Sequence, residues 1–247
     1  MQKERFIGPL SLLLVWFIIT YTGLIGPFFL PTPVVVLKKL VQIIISGVIF
    51  DDIAKTFYRM LSGFMIAASI GIPLGIFVGY WVRIYNSFEF VIDFFRSVPA
   101  TALFPLFMLF FGIGDGAKIA IIVFSCSLII LVNTMYGVKN SAKTRIMVAK
   151  TMKAPRSYIL ARVILPEALP EIFAGLRISL SLSLIIIVVL EMFIGTKRGL
   201  GYLIYNAHMS YSISEMYSVI IIVGVIGYLL NKGFVCFEKR LVHWAGQ

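Results

Sequence analysis

The sequence is poor in the residues that enzymes and metal proteins depend on. Its 247 residues include two histidines, His208 and His243, and two cysteines, Cys126 and Cys236. The cysteines lie far apart in apolar surroundings, so they read as buried free thiols and give no metal-ligand spacing. Charge is scarce as well. Only 13% of residues are charged, about half the share usual in a soluble domain, while 60% are hydrophobic. That balance excludes an ordinary water-soluble fold and points to an integral membrane protein. Acidic residues are the scarcest of the charged ones, 11 against 22 Lys and Arg, for a net charge of +11. In so apolar a chain, a basic excess orients loops toward the cytoplasm rather than binding nucleic acid.

Nucleotide and catalytic motifs are missing too. No G-x-x-x-x-G-K-[ST] occurs, since GIGDGAK and GTKRGLG both fail the spacing. H-E-x-x-H and G-x-S-x-G are absent. The sequence therefore offers no catalytic residue, no metal site and no cofactor site of its own. Any ATP-driven work would require nucleotide held by a separate subunit.

What the sequence does hold is a series of apolar runs near the length that crosses a bilayer, roughly 20 residues. The first, about Ile7 to Ile25, has no small-x-small cleavage site and runs into LPTP, so it reads as a retained helix. VVVLKKLVQIIISGVIFDD, with Lys38 and Lys39 side by side, fits an amphipathic segment at the interface. The second run, about Thr56 to Trp81, has Gly63, Gly71, Gly75 and Gly79 largely at four-residue spacing, a pattern that lets another helix approach closely. Pro73 within it is expected to kink it. RIYNSFEFVIDFFRSVPA reads as an exposed turn or shallow helix. ATALFPLFMLFFGIG is a short third run interrupted by Pro105, and GDGAK a tight turn. Ile119–Tyr136, Ile178–Gly195 and Val219–Phe237 complete six, with TKRGLGYLIYNAHMSYSISEMYS as a connecting loop.

Six spans place both termini on one side. Between Gly137 and Arg177 stand eight basic residues against Glu167 and Glu171. The positive-inside bias makes this stretch cytoplasmic, together with Lys3, Arg5, Lys239 and Arg240. Lys38, Lys39, Lys197 and Arg198 fall on the other side. Within the basic stretch, Ala142, Ile146, Ala149 and Met152 recur at helical steps and form one apolar face, with lysines opposite. Pro155 is expected to end this helix and start another. Ile159 and Val163 continue the stripe until Pro166 forces a second break. Attraction to anionic lipid explains the charge. It leaves unexplained two short helices with apolar faces, which want a protein groove, so mechanical contact with a cytoplasmic partner is expected.

The pattern of an Ala-rich helix, a bend and a helix ending in Ile-x-Leu-Pro resembles the coupling loop of ABC importer membrane subunits. The chain is similar to permeases of the nitrate/sulfonate/taurine/bicarbonate type over nearly its whole length, from Leu30–Pro33 to the basic tail. The matching pieces are GIPLGIFVGY, RSVPATALFPLFMLFFGIGDGAKI, LVNTMYGV, ILPEALPEIFAGLRISL, VVLEM and RGLGYLI. Singly these are weak apolar strings; in this order they are specific. The resemblance implies an all-α membrane protein with about six transmembrane helices and a type I ABC importer-like transmembrane domain. Residues 1–55 would supply an N-terminal helix and interfacial segment, and 56–247 the permease domain, with the coupling loop at about 137–170.

It also implies partners: ABC ATPase subunits that bind the ATP, an extracytoplasmic substrate-binding protein, and a second permease copy, identical or not, all in or on a bacterial inner membrane. The ATPase-coupling residues would be Met147, Ala149, Lys153, Ala154, Pro155, Arg156, Leu165 and Pro166. In the family this loop usually starts Glu-Ala-Ala and carries a glycine at the bend. Here Met147, Val148 and Ala149 stand at the first three positions and Lys153 at the bend. A left-handed lysine costs roughly 1–2 kcal/mol, so Pro155 is expected to set the bend instead.

Glu191, inside IIIVVLEMFIG, is an ionisable group in an apolar run. It reads either as a functional intramembrane carboxylate or as a group near the outer interface that reaches water. Arg96 reads as its counterpart elsewhere or as a basic anchor. Gly199 and Gly201 allow a tight turn beside Tyr202 and Tyr205, a region that the resemblance assigns to the outer gate and the binding-protein surface; an interfacial aromatic belt would use the same residues. Glu191, Arg96, Gly199, Gly201 and Tyr202 are thus the pathway or gate candidates. A gradient-driven transporter or channel would show internal repeats and several buried charges, and a scaffold would use the basic loop only for recruitment. Within the family, permeases for vitamin precursors such as pyrimidines or riboflavin stand beside those for anions.

Overall fold

The computed structural model describes residues 7–193 and 197–242. Lys3, Arg5 and His243, and Gly195 at the end of the fifth run, lie outside them. Among the described residues every regular element is helical. These are α1 (Ile7–Tyr21), α2 (Pro33–Ser46), α3 (Ile49–Tyr80), α4 (Val82–Ser97), a 3₁₀ turn at Ala100–Leu103, α5 (Phe104–Phe111), α6 (Asp115–Lys139), α7 (Lys143–Thr151), α8 (Arg156–Ile159), a π-turn at Leu160–Ile164, α9 (Leu165–Phe193), α10 (Leu200–Met209) and α11 (Ile213–Leu241).

The six apolar runs appear in three forms. Four helical stretches are long and apolar enough to cross a membrane: Ile49–Tyr80, Asp115–Lys139, Arg156–Phe193 and Ile213–Leu241. The third run, joined to α4, makes a pair of helices bent by 85° at Val98–Pro99, a broken span or re-entrant loop. The first is the fifteen-residue α1, which buries none of its residues. Apart from the half-buried Trp16, Ile19 and Thr20 its surface is exposed and apolar all round, which suits lipid.

Several boundaries differ from the sequence reading. Pro105 opens α5 instead of interrupting it, because the first helical turn needs no amide donor there. GDGAK is the first turn of α6 rather than a turn between runs; the reversal sits just before it, where Gly112 takes φ 72. The stretch read as a connecting loop after Lys197 contains the ten-residue α10. Helix α3 is continuous through Pro73. Pro166 does not break the chain either: the run Arg156–Phe193 is helical throughout. The π-turn immediately ahead of Pro166 moves the preceding carbonyls out of α register, which accommodates a residue with no amide hydrogen.

Residues divide into two compact units. In the larger (57–190 and 227–247), glycines set the helix spacing. A Cβ at Gly71, Gly75 or Gly79 would come within 2.6–2.8 Å of the carbonyl oxygens of Ser127, Leu131 and Met135, and one at Gly63 within 2.7 Å of Ile122. Helix α3 therefore lies almost backbone to backbone on α6, the close approach that small residues permit in a membrane. Gly137 against Ala168 and Gly175 against Asn133 repeat the device between α6 and α9. The smaller unit (1–56 and 191–226) is tied by polar bonds between distant segments. Trp16 Nε1 donates to the Pro31 carbonyl at 3.1 Å, Ser218 Oγ to the Val36 carbonyl at 3.0 Å, and Lys39 pairs with Glu215 at 2.9 Å.

Candidate functional site

The basic loop is a helix, a bend and a helix. Helix α7 ends with the Lys153 amide donating to the Lys150 carbonyl and the Ala154 amide to the Ala149 carbonyl. This pair of bonds is a Schellman cap, which requires a left-handed residue between them. Lys153 supplies it at φ 56. The bend is therefore set at Lys153, where the resemblance led us to expect glycine, and not at Pro155, which is extended and caps the next helix from outside. The same cap closes α10, where Tyr211 takes φ 57 and the Ser212 amide donates to the Ala207 carbonyl.

The loop's two faces differ in what they touch. Ile146, Ala149 and Ala154 pack with Leu160 and Val163 on a cluster formed by Val138, Ile159, Ile164, Ala168 and Ile172. That inward face is satisfied by the chain itself. Met152 does not share it, contrary to the helical spacing, because it lies beyond the last α7 residue, in the cap, and is 77% exposed. Met147, Val148 and Tyr158 are exposed with it. Together with exposed Lys150, Lys153, Pro155 and Arg156 they make an apolar and basic outer surface. Leu165 and Pro166 are half-buried at the start of α9. Val148 and Tyr158 are not among the coupling residues read from the sequence, and Met152 is read there only as part of the inward stripe; for Val148 and Tyr158 an apolar residue off that stripe is the available signal. The loop's entry is held by Glu167, whose Oε1 accepts from the Ala142 amide at 3.0 Å and pairs with Arg145 at 3.3 Å.

Glu191 is buried, 1% exposed, so it does not reach water at an interface. Its carboxylate accepts from Thr56 Oγ1 at 2.8 Å and from the Gly201 amide at 3.1 Å. Thr56 Oγ1 in turn accepts from the Leu200 amide at 2.9 Å, and Asp52 Oδ1 from the Gly199 amide at 2.7 Å. Three successive amides at the start of α10, which no helical carbonyl can satisfy, are thus taken by three side chains. Negative charge at a helix N-terminus is also favoured by the helix dipole. Gly199, at φ 132, has no room for a side chain: a Cβ there would fall on the Glu191 carboxylate. Gly201 is buried and Tyr202 half-buried on the same helix. Asp52 and Thr56 were not picked out by the sequence, since they lie more than a hundred positions from the amides they serve.

Arg96 belongs elsewhere, at the C-terminal end of α4. It pairs with Asp93 at 3.3 Å, with both side chains well exposed. It lines a cavity of about 500 Å³ whose walls come from the Val98–Thr101 bend, α6 and α9. Phe95 and Phe124 both line it, edge-on to one another with ring centroids 5.8 Å apart.

Comparison with known proteins places these features in context. A family model described as "Binding-protein-dependent transport system inner membrane component" matches residues 71–244. The taurine transport system permease protein of Escherichia coli is 33% identical over 252 residues, spanning 100% of this chain and 91% of its own. The putative aliphatic sulfonates transport permease protein of Bacillus subtilis is 30% identical over 96% of this chain and 85% of its own. Among solved structures, an inward-facing crystal form of a methionine ABC transporter superposes with a TM-score of 0.68 at 20% identity, over 80% of this chain and 97% of the matched one. At that identity the likeness speaks for the fold.

Proposed function

Because the chain belongs to the family of binding-protein-dependent transport system inner membrane components, we propose that it forms one half of the membrane pathway of an ATP-driven importer for a small anion. Sulfonates, taurine and nitrate are the class in view. The solute arrives from an extracytoplasmic binding protein, and a second permease copy completes the pathway. Nucleotide binds to separate ABC ATPase subunits, so this chain itself catalyses nothing and holds no cofactor. Residues 56–247 form the permease domain, with 1–55 as its N-terminal helix and interfacial segment. The protein lies in the plasma membrane, with both termini and the 137–170 loop in the cytoplasm, the side to which the basic excess assigns that loop.

The observation that carries this reading is the outer surface of the α7–α8 loop. Met147, Val148, Met152 and Tyr158 are more than half exposed on a segment too basic to enter lipid. Exposed apolar side chains among charges mark a protein contact. Closure of the ATPase dimer moves this surface, and the helical run beginning at Arg156 carries the movement into the membrane, a two-state change of the hinge-and-shear kind. Co-purification of the tagged chain with its ATPase tests the reading. Recruitment is expected to survive Met147→Leu and to fail in the Met147→Asp, Met152→Asp double variant. Transport that persists with neither ATP nor an ATPase subunit would overturn it.

A further inference from the structure

We propose that one side of α4 is a wall of the water-filled pathway, with Asn86, Glu89, Asp93 and Arg96 facing the aqueous route between the Val98–Pro99 bend and the cytoplasm. This rests on the importer reading above and names part of its pathway. Successive residues of a helix turn by about 100°, which gathers Arg83, Asn86, Glu89, Asp93, Arg96 and Ser97 within roughly 140° of the α4 surface. All six are exposed. Phe88 and Val91 lie on the opposite side and are exposed as well. At the edge between the two sides, Tyr85 and Ile92 are buried with Leu131, Val132 and Met135 of α6. Tyr85 Oη donates to Glu89 at 2.5 Å, which holds that carboxylate beside the anchored edge.

Two contacts give the depth of this helix. Lys139, the last residue of α6, lies 3.6 Å over the Tyr85 ring, and Phe95 is edge-on to Phe124. Helix α4 therefore runs antiparallel to α6, from the Lys139 end toward the middle of a helix long enough to span. Phe124 is nine residues from Asp115 at the far end, about 14 Å along the axis. Asp93, Arg96 and Ser97 thus stand at the depth of the hydrocarbon core, roughly 30 Å thick, and not on its surface. Ionisable groups at that depth are costly in lipid and face a protein interior or water. The chain itself leaves them open: the Asp93 side chain is 64% exposed and that of Arg96 45%. The extended backbone at Val98 and Pro99 has the same need, since non-helical backbone at membrane depth is buried in protein or lines a watery cavity. Arg83 and Arg96 offset Glu89 and Asp93, so the wall is wet but carries no net charge. Such a wall holds a passing solute weakly, as conduction requires.

The test labels single cysteines in the full-length chain, co-expressed with its ATPase, in inside-out membrane vesicles. Exposed Cys236 is first removed by Cys236→Ser, while buried Cys126 stays; this parent sets the background. Asn86→Cys, Asp93→Cys and Ser97→Cys report the polar side, Phe88→Cys and Val91→Cys the other. The reagent is a small, charged, membrane-impermeant methanethiosulfonate, which attacks the thiolate, a form that water supports and lipid does not. Each polar-side position is expected to react at least about tenfold faster than Phe88→Cys and Val91→Cys. A maleimide on a long polyethylene glycol chain should react about tenfold or more slowly at Ser97→Cys than at Asn86→Cys, because a pathway sieves by diameter. A helix lying on the membrane surface would admit it equally at both. Polar-side reactivity no greater than that of the opposite side, or equal access of the long reagent to both positions, would overturn the proposal. ATPase recruitment on the same vesicles separates the two readings. If recruitment holds while the polar side is unreactive, only the wall falls. If recruitment is absent while the labelling pattern is as expected, only the importer reading falls.

Discussion

The two glutamates at the ends of α9 perform the same task with different firmness. Glu167, in its first turn, accepts the Ala142 amide that leads into α7. Glu191, in its last turn, accepts the Gly201 amide that opens α10. Glu191 is 1% exposed, and its neighbours Thr56 and Asp52 take the adjoining amides. The Glu167 side chain is 20% exposed and shares its oxygen with Arg145, 68% exposed. Hydrogen bonds gain strength when water is excluded, and unmade ones then cost more. The α10 junction is accordingly built to stay closed. The α7 junction is held by bonds that water can replace.

Substitutions graded across these junctions test that contrast. Glu191→Ala should have the largest effect, about 3–5 kcal/mol of destabilisation, because it strands a buried hydroxyl and amide and leaves a void; a fall in melting temperature of the detergent-solubilised protein reads it. Gly199→Ala and Thr56→Val should each cost about 2–3 kcal/mol, the first by clash and backbone strain, the second by stranding the Leu200 amide. Thr56→Ser, which keeps the hydroxyl, should restore most of the loss. Lys153→Gly should act in the opposite direction, stabilising the α7 cap by about 1 kcal/mol through relief of the left-handed lysine. Glu167→Gln should be the smallest, at most about 1 kcal/mol globally, yet it should speed hydrogen exchange at residues 142–155. A melting-point drop for Glu167→Gln equal to that for Glu191→Ala would abolish the distinction.

Much of the fold was legible in the sequence because local pattern decides it. Apolar runs near bilayer length marked the spanning helices, and the four-residue spacing of Gly63, Gly71, Gly75 and Gly79 marked a close helix contact. The sequence could not say that the contact was α6, since spacing shows a face and not its occupant. Helix α10 was hidden by its flanking glycines, and by polar Asn206, His208 and Ser210, which resemble loop composition. The burial of Glu191 depended on Asp52 and Thr56, brought to it only by the tertiary fold. The bend was misassigned to Pro155 because a lysine in the left-handed region is uncommon on local grounds. Here the Ala149 and Ala154 contacts on the buried cluster outweigh its cost.

The helical run Arg156–Phe193 contains 38 residues. At roughly 1.5 Å per residue it measures about 57 Å, nearly twice the hydrocarbon thickness of a bilayer. A rod of that length extends beyond the hydrocarbon core. The α7–α8 loop stands at its foot, so under the importer reading proposed above a push on that loop would pass along one helical run without a relay of side chains. The run contains a π-turn at Leu160–Ile164, a form that occurs mostly as a single-turn bulge inside α-helices. The turn's position close to the foot leaves the long upper portion, Leu165–Phe193, as unbroken α-helix.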